Sequence, residues 1–178
     1  MVDTSSSYDQ NARCIIIGAS GLIGHRLYDH GIAAGNKVIG TYHLNSLTGL
    51  QTFDATKDKL VHLIPDLNAE DNVFLLSAKI QPDWVYRNPA QSRELNVKSI
   101  GALMHEACER GAKIIFISTE LVFDGIEGGY REEDQPNPTT LYARQKLELE
   151  ERLRQYCDKW LLVRTGWTVV AAAILPGG

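Results

Sequence analysis

The stretch Cys14-Ile15-Ile16-Ile17-Gly18-Ala19-Ser20-Gly21-Leu22-Ile23-Gly24 decides the fold. A short β-branched apolar run that stops at a glycine reads as a buried parallel strand. The glycines after it are spaced G-x-x-G-x-x-G, and a helical pattern opens at Leu22. In such a turn Gly18 takes the tight bend and Gly21 lets a pyrophosphate approach the backbone. Gly24 lets the helix lie close on the strand. Unpaired N–H groups at the helix start then face the phosphates. On this reading the turn residues Gly18, Ser20, Gly21, Leu22, Ile23 and Gly24 hold a dinucleotide.

Downstream, strand-like and helical segments alternate. The first helix runs to about Ala34 and stops at Gly35-Asn36. Strands are expected at 37–42, 72–77, 113–118 and 160–164, after the first at 12–17. Helices are expected at 56–64, from Pro89 to about Arg110, and from about Thr139 to Cys157. Residues 123–138, rich in Gly, Asp, Glu and Pro, read as a loop. This alternation predicts an α/β fold: a Rossmann-type, doubly wound parallel sheet with helices on both faces.

The 178 residues suit one domain, and 44% hydrophobic with 22% charged is ordinary for a globular chain. A net charge of -4 argues against a nucleic-acid partner. No apolar run approaches the roughly 18 residues that a membrane helix needs. The Ser-rich start has no apolar stretch of a secretory signal and reads as a flexible tail over residues 1–11. Cys14, Cys108 and Cys157 are odd in number with no close pair. They are expected to be reduced structural residues, with neither a disulfide nor a metal site, which points to the cytoplasm. The apolar run Val169 to Leu175 has little sequence after it. Finishing a strand, lying on the core and marking a truncation are all open readings, and its exposure suits a partner surface.

The second strand ends Gly40-Thr41-Tyr42-His43 without an acid. Nothing there repels a 2′-phosphate, so NADP fits at least as well as NAD. His43 either contacts that phosphate or sits in solvent. Asp54 either caps the next helix or lies beside the adenine. Trp84 to Tyr86 either line the cleft or pack their own loop. Tyr142 and Lys146 are four apart, hence on one face of a helix. A carbonyl reductase needs an acid for the carbonyl oxygen, and a nearby ammonium is expected to lower the phenol pKa towards a useful range. A hydroxyl at the end of the fourth strand, Ser118 or Thr119, completes such a site.

Taken in order, Gly18 to Gly24, Asn96 in Glu-Leu-Asn-Val, Ser118-Thr-Glu-Leu-Val-Phe-Asp-Gly125, Tyr142-x-x-x-Lys146 and Arg164-Thr-Gly-Trp167 resemble the extended short-chain dehydrogenase/reductases. The likeness is strongest to the dTDP-4-dehydrorhamnose reductase branch and covers about residues 12–168. Tyr130-x-Glu132 and Pro136-x-Pro138 add to it. The resemblance implies Thr119 as catalytic hydroxyl, Tyr142 as acid and Lys146 as its partner, which also holds the nicotinamide ribose. It places Ser77 and Ala78 in the cofactor groove and has Asn96 order the helix and strand ends; Tyr42, His43 and Asp54, read from the residues, are the further cofactor candidates. It implies NAD(P)-dependent reduction of a nucleotide-linked 4-keto deoxysugar. Separately, the apolar residues of Leu147 to Leu153 face either the sheet or a homodimer partner, and activity would need the sugar pocket from elsewhere, such as a partner subunit. The branch also holds a regulatory subunit of methionine adenosyltransferase, so a non-catalytic NADP-binding module is the alternative. A fragment without activity is a third reading. Glu120-Leu121 departs from the usual Asp-Tyr. Residues 12–178 are expected to form the dinucleotide-binding domain, with the substrate lobe largely absent.

Overall fold

A computed structural model describes residues 12–166. The expectations for the tail at 1–11, for Trp167 and for the run Val169 to Leu175 lie outside these residues. Strand β1 (Arg13–Ile17) leads through the glycine turn into helix α1 (Leu22–Ala33). Then come β2 (Lys37–Tyr42), β3 (Gln51–Thr52), α2 (Leu60–Leu63) and β4 (Asn72–Leu75). Helices α3 (Pro82–Arg87) and α4 (Pro89–Arg93) precede a π-helical turn at Glu94–Ser99 and helix α5 (Ile100–Glu109). Strand β5 (Lys113–Thr119), a 3₁₀ turn at Glu120–Val122, helix α6 (Leu141–Tyr156) and strand β6 (Trp160–Thr165) complete the order.

The sheet runs β3-β2-β1-β4-β5-β6, with every pair parallel. The strand order reverses between β1 and β4, which makes the carboxyl ends of these strands the switch point where ligands bind in such folds. Register puts Ile15, Val73 and Ile114 in one row and Ile17, Leu75 and Phe116 in the next. Both rows pack on Leu103, Met104, Leu149 and Leu153 of α5 and α6 to form the core. Ile16 and Gly40 face the other way, where a Cβ on Gly40 would meet Tyr28 and Ala19. Helix α1 therefore covers the opposite face, and the expected doubly wound α/β architecture is present.

Several boundaries differ from expectation. The exposed two-residue strand β3 carries no apolar pattern to announce it. Residues 82–87 form a helix where a loop was expected, because Pro82 and Pro89 each start a short helix. The single helix predicted from Pro89 is interrupted by the π turn. Arg13 anchors the start of β1 by donating to Asp71 at 2.7 and 2.8 Å and to Asp66 at 2.8 Å. Burial alone would raise the Asp71 carboxyl, but the Arg13 and Asn68 hydrogen bonds outweigh it and hold its pKa low.

The cysteine expectation is corrected. Cys108 and Cys157 are joined by a disulfide, with Cα atoms 5.3 Å apart, while Cys14 is free. The 49-residue separation conceals the contact, which arises because α5 and α6 lie side by side and end together. Alkylation of the denatured, unreduced protein is therefore expected to label one thiol, and three after reduction. Three labels before reduction would mean the bridge is not formed.

Candidate functional site

The glycine turn is built by backbone needs that a side chain could not meet. Gly18 has a φ of +96°, and a Cβ there would lie 2.8 Å from Ser77 Oγ and 3.0 Å from Ser77 N. Its N–H donates to Thr41 Oγ1 at 3.1 Å, and the Thr41 hydroxyl donates to Ile16 O at 3.3 Å. Thr41 is buried and thus ties β2 to the turn; sequence reading missed it, since its partners are 23 and 25 residues away. A Cβ on Gly24 would run into Gly18 O and come within 2.8 Å of Ala19 Cα. Gly21 is different: its Cβ would meet only Gly18 O at 3.4 Å, so the side facing outward is open. No acid occupies the first turn of α1, which leaves the positive end of its dipole unopposed. Ser20 is half-buried beside it, Ile23 is half-buried and Leu22 is exposed.

At the end of β2, Tyr42 is half-buried and His43 is exposed, with His43 Nε2 3.6 Å from Asp54 Oδ2. Asp54 accepts from the Thr56 hydroxyl at 2.6 Å and the Thr56 N–H at 3.0 Å, and Lys57 Nζ lies 3.0 Å away. These bonds, the Thr56 hydroxyl first, take the Asp54 pKa down to about 2. Asp54 thus holds its own turn rather than the start of α2. Beyond β4, Ser77 abuts Gly18 and Ala78 is half-buried. Trp84 is half-buried with Lys79 Nζ 5.2 Å from its ring centre, whereas Tyr86 points to solvent.

The second cluster lies at the carboxyl end of β5. Thr140 caps α6 by accepting from Ala143 N–H at 3.2 Å, and the helix then presents buried Tyr142 and Lys146 to the sheet. Thr119 Oγ1 donates to Glu120 Oε2 at 3.1 Å and accepts from Leu121 N–H at 3.3 Å. Lys146 Nζ donates to Ile117 O at 2.7 Å and sits 4.6 Å from the Phe116 ring centre. Of the two hydroxyls, Ser118 turns away and donates to the fully buried carboxylate of Glu150. Glu150 also accepts from Arg164, through Nη2 at 2.6 Å and Nε at 3.1 Å. That buried ion pair locks α6 to β6. Arg164 in turn stacks on Phe123, 4.9 Å from its ring centre, and Phe123 stacks on Tyr130 at 4.5 Å. The Tyr130 hydroxyl donates to Asp124, which also accepts from Asn137. The Val-Phe-Asp-Gly motif therefore staples its own loop.

The expected effect of Lys146 on Tyr142 is corrected. Burial, and after it the charge of Glu120, push the Tyr142 phenol up to about 12 rather than down. The ammonium is directed at Ile117 O, so it does not offset them. Burial lowers Lys146 to about 8, partly opposed by Glu150. Between pH of about 8 and the ordinary 10.5 the unfolded chain holds more protons at Lys146 than the folded one. The cost of burying the ammonium is therefore fully present at lower pH and is relieved as pH rises through that window. Urea unfolding at both ends of the window is expected to show a gain in stability for the native chain that Lys146→Met lacks. Equal slopes would contradict the burial.

Among the described residues no group of three or more acidic, His or Cys side chains forms a metal cluster. No helix among them is long and apolar enough to cross a membrane. Fold and site together define a Rossmann-type domain of the extended short-chain dehydrogenase/reductase class. The chain belongs to the family described as RmlD substrate binding domain, whose model matches residues 12–172. It is 35% identical over 142 residues to methionine adenosyltransferase 2 subunit beta of Bos taurus, across 79% of this chain and 42% of that one. Its fold resembles a hypothetical dTDP-4-dehydrorhamnose reductase from Sulfolobus tokodaii, with a TM-score of 0.75, 27% identity and coverage of 86% and 55%. It also resembles the Bacillus anthracis dTDP-4-dehydrorhamnose reductase in complex with NADP, with a TM-score of 0.70, 22% identity and coverage of 87% and 53%. The chain spans about half the length of the relatives it matches.

Proposed function

We propose that residues 12–178 act as a cofactor domain that binds NADP(H), or NAD(H), and supports reduction of the 4-keto group of a nucleotide-linked deoxysugar. The observation that carries this reading is positional. Buried Tyr142 and Lys146, with Thr119, sit at the carboxyl edge of the sheet that also carries the glycine turn. In this reading the N–H groups at the start of α1 hold the pyrophosphate, and Ser20, Leu22 and Ile23 flank it. Ser77 and Ala78 line the groove, and Tyr42, His43 and Asp54 border the adenosine end. The cofactor supplies hydride, Tyr142 supplies the proton to the carbonyl oxygen, and Lys146 carries the local positive charge. Thr119 offers a hydrogen bond to that oxygen once a substrate draws it from Glu120. A cytoplasmic location suits the cofactor, and the Cys108–Cys157 bridge argues against it.

A second reading is a regulatory module that binds NADP and assembles with a partner subunit. Two observations favour it: the Thr119 proton is committed to Glu120 and the Lys146 ammonium is committed to Ile117 O. Adding NADPH and a 4-keto-6-deoxy nucleotide sugar to the protein separates the two. Loss of absorbance at the reduced-nicotinamide band, in step with ketone consumed, is expected of the reductase. Bound but unoxidised NADPH would favour the regulatory reading.

A further inference from the structure

A buried chain of side-chain amides joins the two halves of the site. Asn96, on the π-helical turn, accepts from Lys79 N–H at 2.8 Å and donates back to Lys79 O at 3.0 Å. Its amide also donates to Gln145 Oε1 at 3.0 Å. Gln145 Nε2 donates to Ser92 Oγ at 2.9 Å, and the Ser92 hydroxyl donates to Pro89 O at 3.0 Å. Ser92, Asn96 and Gln145 are 0%, 2% and 3% exposed, so water does not compete for these bonds. Gln145 lies between Tyr142 and Lys146 on α6. Lys79 lies two residues past Ser77, which abuts Gly18 of the glycine turn. Leu76 N–H bonds Ile17 O at 3.0 Å, so the near end of that loop is already fixed to β1. Its far end has Asn96 on both backbone groups of Lys79, and Asn96 is oriented by Gln145.

We propose that Gln145 is a positioning residue for the cofactor site: acting through Asn96, it holds the loop at Ser77–Lys79 in register with Tyr142 and Lys146. The proposal rests on the cofactor reading given above. The side chain suits this work because an amide both donates and accepts, and here both capacities are used. A hydrophobic residue of equal size would fill the space and leave the Asn96 amide short of one acceptor, free to turn away from Lys79. Loop and catalytic helix would then be joined by packing alone.

Gln145→Met removes both bonds while keeping the volume. Amide hydrogen exchange measured by NMR is expected to show Lys79 exchanging about tenfold faster, one buried hydrogen bond's worth, with the Ile15, Ile114 and Phe116 amides unchanged. NADPH affinity is expected to fall by a similar factor, about tenfold. Gln145→Glu, which keeps an oxygen for Asn96, is expected to restore Lys79 protection. Ser92→Ala frees only the far end of Gln145 with less change to the core, and a smaller rise at Lys79 is expected even if the methionine variant does not fold. An unchanged Lys79 amide, equal acceleration throughout the core, or an opened loop with undiminished NADPH binding would each overturn the proposal. If the native chain binds no NADPH, the cofactor reading fails and the proposal fails with it. A native chain that binds, beside a variant that binds equally well, sinks the proposal alone.

Discussion

Gly24→Ala is expected to weaken cofactor binding strongly and to destabilise the domain by ~1–3 kcal/mol, the usual cost of forcing atoms into packed space. The methyl group would run into Gly18 O and approach Ala19 Cα to 2.8 Å and Gly18 C to 3.0 Å. All three are backbone atoms, so no rotamer change relieves the contact. Either α1 lifts from β1 or the turn at Gly18 opens, and both move the N–H groups at the start of α1. Losing one hydrogen bond to a charged phosphate forfeits ~1.5–3 kcal/mol, so affinity is expected to drop by ~100-fold. Gly21→Ala is the informative control. Its methyl meets only Gly18 O at 3.4 Å, an ordinary contact. Stability is expected to hold while NADPH binding falls, because the methyl occupies the open side of the turn. Thermal melts and a fluorescence titration of both variants separate the two causes. Equal loss of stability in both would contradict the assigned roles.

Tyr142→Phe is expected to lower turnover by roughly 10²–10⁴-fold with NADPH affinity nearly unchanged, the range for removing a general acid. The phenol sits at about 12, so Tyr142 stays protonated over the working range and is suited to giving a proton rather than taking one. The alkaline limb of the rate is expected to follow Lys146, near 8, as its ammonium loses charge. Steady-state rates from pH 6 to 10 check this. A limb that does not follow Lys146 would contradict its assigned role, and a phenylalanine variant as fast as the native chain would remove Tyr142 from the mechanism.

The sequence was most legible where one residue type answers one backbone need. Gly18 and Gly21 lie between an isoleucine run and a helix and Gly24 sits in that helix's first turn, so turn, strand and helix were read together. The Tyr142–Lys146 spacing placed both on one helical face because the period of a helix is fixed. The features that escaped depend on partners far along the chain. Thr41 looks like any strand threonine until it is seen bonding Gly18 and Ile16. Gln145 has no signature, since its meaning comes from Asn96 and Ser92. The Cys108–Cys157 bridge needed the mutual placement of α5 and α6. The direction of the Lys146 ammonium is set by the Ile117 carbonyl, and the Tyr142 shift by burial and Glu120. Spacing on one helix could report neither.

The most direct test of the central claim is a fluorescence titration of the purified chain with NADPH and NADH. Binding in the micromolar range, ~8 kcal/mol, with NADPH the tighter, is expected if the glycine turn is a working phosphate site and the end of β2 admits a 2′-phosphate. Absence of binding of either cofactor up to ~1 mM would contradict the account, and both functional readings would fall with it.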